Sequence, residues 1–222
     1  MKGGRVAIVG AGGIGAPAAA ALAAAGISGI SLWDPDVVEL SNLPRQPLYG
    51  AGDVGRPKVE VAAGRIRARH PRIEVTAHQI RIDERSAPLL ADHAAIVDGT
   101  DGIAAKALLN EAALALGVPL VHAGAIGLEG QLTTILPHRT ACLRCLFVEL
   151  PDPEEMPGCQ QAGILGPVVG AIGLAAAREA LALVDGREPA LANRLAIFSG
   201  ARVAWRIVDI RPNSRCPSCR AG

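Results

Sequence analysis

Residues 10–15 read Gly-Ala-Gly-Gly-Ile-Gly, between a short apolar run and an alanine-rich one. At a strand-to-helix junction, Gly10, Gly12 and Gly13 clear side chains from the path of a phosphate, and the helix N-terminus behind them supplies donors and positive potential. The turn carries more glycines than tight packing alone would need, so a nucleotide is the expected ligand. By itself it serves NAD and ATP equally. Asp34 closes the next apolar run, where a carboxylate can accept hydrogen bonds from ribose hydroxyls. Beyond it stand Ser41-Asn42-Leu43-Pro44-Arg45-Gln46 and Gly55-Arg56-Pro57-Lys58. Hydride transfer has little use for fixed cations here, whereas triphosphate cleavage needs them to neutralise the departing pyrophosphate. Arg45 offers a planar fork and Lys58 a point charge, two complementary ways to grip a polyphosphate. Asp101 is a candidate Mg2+ ligand, since Mg2+ takes one or two carboxylates plus phosphate oxygens; its competing role is to cap the helix starting at residue 103.

The cysteines pose a second question. Cys142-Leu-Arg-Cys145 and Cys216-Pro-Ser-Cys219 together supply four thiolates, the number a closed tetrahedral Zn2+ site requires. Disulfides are the alternative, disfavoured in a cytosolic chain. Redox activity is disfavoured too, because neither pair opens a helix after a strand. Zinc would tie the tail back onto the body, and chelation would loosen it. Cys159 is left over, either a nucleophile forming an acyl or persulfide link with an activated carboxylate or an incidental thiol. Histidines 70, 78, 93, 122 and 138 form no spaced pair and read as structural or surface groups; His122, ending a strand near the site, is the one to watch.

These groups need a scaffold. Residues 5–9, 30–33, 73–77, 94–97 and 119–122 read as strands. Helical stretches at 16–25, 57–69 and 103–116 alternate with them, the first and last stopped by Gly26 and Gly117, the second opened by Pro57 in its first position. That alternation predicts an α/β fold with a Rossmann-like, doubly wound parallel sheet, right-handed crossovers and function at the strands' carboxyl ends. After Gly130 the pattern changes to strands at 131–136, 194–198 and 202–210 around a helix at 167–184, an antiparallel C-terminal extension. Residues 149–161, Pro-rich and acidic, are expected to form a mobile loop. The reading is one domain over 1–222, with a nucleotide-binding half at about 1–130 and a zinc-binding half at about 131–222.

Composition agrees. With 222 residues, 50% of them hydrophobic, the chain can bury one large core, and 2% aromatics make that core small and aliphatic. A net charge of +1 gives no reason to expect nucleic acid or an anionic membrane as partner. The first residues do not resemble a secretory signal, which points to the cytoplasm. Residues 164–184 approach membrane-spanning length, yet Pro167, Arg178 and Glu179 within them favour a buried helix.

In this order, GAGGIG, Asp34 with Asp36, SNLPRQ, GRPK, DGTD, AGAIGLEGQ, CLRC, GILGPVVGAIG and CPSC resemble the ThiF/MoeB/HesA family of ubiquitin-activating-enzyme-like adenylyltransferases. The likeness runs from about Arg5 to Cys219. It implies that Gly13, Asp34, Ser41, Asn42, Arg45, Lys58 and Asp101 correspond to ATP-binding positions and the four paired cysteines to zinc ligands. Cys159 corresponds to a crossover-loop cysteine that some members use for a covalent link. The implied reaction is adenylation of the C-terminal Gly carboxylate of a ubiquitin-like sulfur-carrier protein of the ThiS or MoaD kind, docked on the C-terminal half, in thiamine, molybdopterin or related sulfur-transfer biosynthesis. A homodimer and a sulfur donor protein are implied as partners. Two departures stand out. Members carry a helical N-terminal extension whose arginine reaches the partner subunit's ATP, whereas this chain starts at the first strand. Gly102 also replaces a usual Asn, removing one polar contact to the nucleotide. The alternatives are a non-catalytic or half-site subunit, adenylation of a peptide in natural-product biosynthesis, and an NAD-linked oxidoreductase.

Overall fold

The computed structural model describes residues 4–147 and 163–219. Five strands come from the alternating half: β1 (Arg5–Val9), β2 (Gly29–Trp33), β3 (Glu74–His78), β4 (Ala95–Asp98) and β5 (Leu120–Ile126). Three more follow, β6 (Glu129–Ile135), β7 (Arg194–Ser199) and β8 (Ala204–Asp209), in one sheet of order β3-β2-β1-β4-β5-β6-β7-β8. Pairing is parallel from β3 through β5 and antiparallel from β5 to β8, as the change of pattern after Gly130 predicts.

The helices are α1 (Gly15–Ala24), α2 (Lys58–Arg69), α3 (Ile103–Leu116), a single turn α4 (Leu143–Leu146) and α5 (Gly166–Val184). They cover the sheet on both faces. Ala18, Leu22, Val59, Ile66, Ile172 and Ala176 bring α1, α2 and α5 into one apolar cluster, while Leu109, Ala113 and Leu114 of α3 join Leu90, Leu120, Ile135 and Leu143 in the other. Small residues permit the close helix contacts. A Cβ at Gly173 of α5 would run into the Ile14 carbonyl oxygen at the start of α1. By length and composition α5 could cross a membrane, but half of its apolar window is buried. Its Glu179, 2% exposed, accepts hydrogen bonds from Thr134 Oγ1 at 3.0 Å and Leu191 N at 2.8 Å, so this is a core helix with a satisfied buried acid.

Most boundaries shift by a residue or two, and two of the differences have a visible cause. Pro57 precedes the helix, with φ −56° and ψ 129°, because its backbone bridges to Val37 before α2 begins at Lys58. Strand β5 runs past residue 122 to Ile126 because Gly127, at φ +57°, turns the chain back into β6 as a hairpin. The loop expected at 149–161 lies outside the described residues.

Topology fixes where a ligand can enter. The chain leaves β1 toward β2 and β3, then returns to the other side of β1 as β4, so the loops after β1 and β4 diverge over a crevice. Open α/β sheets bind ligands at such a switch point.

Candidate functional site

Before they part, the loops after β1 and β4 touch at the floor of that crevice. Gly99 N donates to Val9 O at 2.8 Å, and a Cβ at Gly10, whose φ is +93°, would come within 2.6 Å of the Gly99 carbonyl. Only glycine tolerates that approach. The other glycines divide by role. A Cβ at Gly15 would strike the Gly10 carbonyl oxygen, and one at Gly13 would meet Val169 Cγ2 at 2.9 Å and Arg45 O at 3.2 Å, so both serve packing after all. At Gly12 a Cβ would meet only Gln46 Nε2, at 3.6 Å. Gly12 is therefore the open position of the turn.

Asp34, the residue after β2, is 5% exposed and braces this turn: Oδ2 accepts from Ala11 N at 2.7 Å and Oδ1 from Asp36 N at 2.8 Å. Burial pushes its carboxyl pKa up, against the pull of the Lys58 ammonium. Lys58 itself is 5% exposed, and its Nζ lies 3.0 Å from Asp36 Oδ2. The first turn of α2 thus aims its cation at the carboxylates after β2.

Arg45 closes a short 3-10 helix (Leu40–Arg45), and its guanidinium folds back on it, donating to Ser41 O at 3.0 Å and Asn42 Oδ1 at 2.7 Å. Ser41 and Asn42 both donate to Glu39 Oε2, at 3.3 and 3.4 Å. The loop is held from below: Tyr49 Oη donates to the Ala11 carbonyl at 2.6 Å, and Asp53 pairs with Arg65 and Arg56. Asp101 sits exposed on the loop after β4. It is not the cap, because Gly102 occupies that position and no side chain caps α3. Glycine turn, Arg45 loop, Lys58 and Asp101 loop therefore surround one crevice.

Sequence reasoning missed three participants. Asp98, at the end of β4, is fully buried between Lys106 of α3 and His122 of β5. Gln46 and Tyr49 support the turn from the loop beyond Arg45. The signal for Asp98 was an acid ending an apolar strand, but its partners come from other elements at no legible spacing. His122 does lie near the site: burial pushes its pKa down, so the ring is neutral and Nδ1–H donates to Asp98 Oδ2 at 2.8 Å. Three other histidines make structural contacts. His78 stacks on Trp33 at 3.9 Å, His93 bonds Ser31 Oγ at 2.6 Å, and His138 bonds Leu114 O at 3.2 Å.

The four paired cysteines meet on the α3 face. All four Sγ atoms lie within 4.8 Å of one another, with Cys142–Cys216 at 3.6 Å, Cys145–Cys219 at 3.3 Å and Cys142–Cys145 at 4.0 Å. A tetrahedron of thiolates around Zn2+ has S···S edges of about 3.8 Å for bonds of ~2.3 Å, so this cluster could hold a metal ion of that size. Burial pushes the Cys142 thiol up to about 11, whereas hydrogen bonds outweigh burial at Cys216 and draw it down to about 7, so a cation would be needed to hold Cys142 as a thiolate. Cys159 lies outside the described residues. A cavity of about 590 Å3 opens at the other end of the sheet, among residues 23–27, 69–73 and 181–185, and shares none of these groups.

The family model described as "ThiF family" matches residues 1–219. The SAMP-activating enzyme E1 of Haloferax volcanii is 39% identical over 219 residues, covering 98% of this chain and 81% of that protein. The sulfur carrier protein ThiS adenylyltransferase of Escherichia coli is 40% identical over 217 residues, covering 97% of this chain and 85% of that protein. The chain spans about half the length of other relatives. A crystal structure of Escherichia coli MccB with MccA-N7isoASN superposes with a TM-score of 0.87 at 22% identity, covering 98% of this chain and 67% of that one. That likeness is one of fold.

Proposed function

The chain belongs to the ThiF family, and from that footing we propose that it is an adenylyltransferase: it uses ATP to adenylate the C-terminal Gly carboxylate of a ubiquitin-like sulfur-carrier protein of the ThiS or MoaD kind, releasing pyrophosphate. The reading is supported by the contacts at the switch point: Gly12 is open, the Arg45 backbone packs on Gly13, the loop carrying Asp101 packs on Gly10, and Lys58 lies beside Asp34 and Asp36. The NAD-linked alternative rested on the turn and Asp34 alone and accounts for neither cation.

The residues present suit the nucleotide. Gly12 leaves room for a phosphate, Asp34 keeps carboxylate lone pairs beyond its two backbone bonds, and Asp101 is exposed beside the turn. Bound ATP supplies an electrophilic phosphorus and a pyrophosphate leaving group. The protein's part is positioning and charge neutralisation. Gly12 admits the phosphates on a turn that Gly10 and Gly13 let pack closely, Asp34 takes the ribose, and Ser41, Asn42, Arg45 and Lys58 hold the triphosphate. Asp101 would hold the Mg2+, which would supply positive charge against the phosphate oxygens. Cys142, Cys145, Cys216 and Cys219 hold Zn2+ that ties the tail to the body. The carrier docks on the half beyond residue 130, and Cys159 is the residue we assign to any covalent link on the way to sulfur transfer from a donor protein. A homodimer in the reducing cytoplasm is the working form.

Exchange of labelled pyrophosphate into ATP tests the reaction. Exchange that depends on a carrier ending in Gly-Gly is expected. Exchange with a short peptide but no carrier would move the chain to peptide adenylation. No exchange with any carrier, until a neighbouring gene product is added, would make it a half-site subunit.

A further inference from the structure

Asp98 anchors the loop that carries Asp101 from three sides. Its Oδ1 accepts from Thr100 N at 3.0 Å and Thr100 Oγ1 at 2.7 Å, and Lys106 Nζ lies 3.3 Å away. Its Oδ2 accepts from Lys106 Nζ at 3.1 Å and from His122 Nδ1 at 2.8 Å. Lys106 spends a further donor on Ala123 O, at 2.7 Å. Burial works against the charge on Asp98, but Lys106 and His122 outweigh it and hold the carboxyl well below its ordinary range.

A largely buried charge cluster is a poor device for stability alone, because apolar groups of the same shape often do as well or better. Its location is the informative part. The cluster joins β4, α3 and β5 directly beneath the loop 99–102. That loop packs on Gly10, where a Cβ would come within 2.9 Å of Thr100 N. Asp101, one residue on, takes no part in it.

We infer that Lys106 and Asp98 are positioning residues: the Lys106 ammonium, clamped between Asp98 and the Ala123 carbonyl, fixes the loop after β4 so that Asp101 presents its carboxylate at one place beside the glycine turn. The bonds of the Lys106 ammonium go to Asp98 and Ala123, so its influence on the site runs through the loop that carries Asp101. The inference rests on the proposed role of Asp101 toward Mg2+. Partners that orient a metal ligand typically change metal affinity by about 10–100-fold when removed.

The test is a double-mutant cycle on Lys106→Met and Asp101→Ala, read as the Mg2+ concentration giving half-maximal exchange and, independently, as calorimetric binding of ATP with and without Mg2+. Lys106→Met should raise the Mg2+ requirement about tenfold or more and weaken Mg2+-dependent ATP binding, leaving Mg2+-free binding near wild type. Lys106→Arg should restore most of the loss. In the Asp101→Ala background Lys106→Met should add little, because both act on one ligand. Thr100→Val, a milder change that removes one bond to Asp98, should shift the Mg2+ requirement the same way and serves if Lys106→Met does not fold. Wild-type Mg2+ dependence in Lys106→Met or in its stand-in, or losses that multiply across the cycle, would overturn the inference. If the wild-type protein shows no exchange at all, the proposed reaction fails, while the calorimetric cycle still decides the positioning role.

Discussion

Lys58 Nζ lies 3.0 Å from Asp36 Oδ2, with the lysine side chain 7% exposed and the aspartate side chain 57% exposed. A cation drawn in from solvent is tethered by an acid that remains half in water. The tether keeps the ammonium beside Asp34 and the glycine turn, so less side-chain freedom is left to lose when a polyphosphate arrives. Lys58→Ala should lower the exchange rate on the order of 10²-fold or more. Asp36→Asn, which keeps the shape but weakens the tether, should cost less. Wild-type rates in Lys58→Ala would remove the lysine from the site.

Arg45 spends its fork on Ser41 O and Asn42 Oδ1. Those are neutral acceptors, and phosphate oxygens make stronger, charge-assisted bonds with a guanidinium. Arg45→Ala should therefore reduce exchange by about 10²-fold, and Arg45→Lys should recover little because a point charge cannot replace the planar fork. Full activity in Arg45→Lys would show that charge alone suffices.

Two neighbouring glycines should fail in different ways. Gly13→Ala puts a methyl 2.9 Å from Val169 Cγ2, so it should lower the melting temperature. Gly12→Ala meets only Gln46 Nε2 at 3.6 Å and should fold normally while losing ATP affinity in calorimetry. Equal ATP binding by wild type and Gly12→Ala would contradict the phosphate path.

Removing the metal from the four-cysteine cluster should release the C-terminal tail. Cys142, Cys216 and Cys219 are buried in the α3-face core, and the tail also hangs on Ser218 Oγ to Glu111 Oε1 at 2.6 Å. Metal analysis should find one Zn2+ per chain, and chelation should speed amide exchange in residues 141–147 and 211–219. Unchanged exchange after chelation would mean that the thiols are held without metal.

Acid should destabilise the fold from near neutrality. Burial holds His78, His93 and His122 below the ordinary 6.5. The unfolded chain then binds protons first, so stability is complete above pH 6.5 and falls as pH drops toward the folded values. Thermal melts at pH 7.5 and 5.5 should show this loss, and His93→Gln should show less of it. A melting temperature that rises on acidification would contradict the sign.

Much of this molecule was legible from pattern. Alternating runs predicted the five-strand parallel half within a residue or two at most ends, because the central strands are buried throughout and mostly apolar, as both-faced burial requires. Gly117, at φ +69°, stops α3 where expected. The glycine turn was legible as a turn but not as two jobs, since which glycine faces open space depends on Val169 of α5, far along the chain. Asp101 had a competing reading as a cap that only the backbone at Gly102 could settle. Asp98 was legible only as an acid ending an apolar strand: its partners Lys106 and His122 belong to a helix face and a strand whose register exists only once the sheet is built. Spacing reveals groups on one element, and this cluster is shared by three.

The most direct test of the account is a crystal structure of the protein with Mg2+ and a non-hydrolysable ATP analogue. The expected result is a triphosphate running past Gly12, the Arg45 guanidinium turned from Ser41 and Asn42 onto its oxygens, Lys58 within reach of it, and Asp101 on the metal. A nucleotide bound elsewhere, or bound here with Arg45 still closed on its own loop and Asp101 away from the metal, would contradict it.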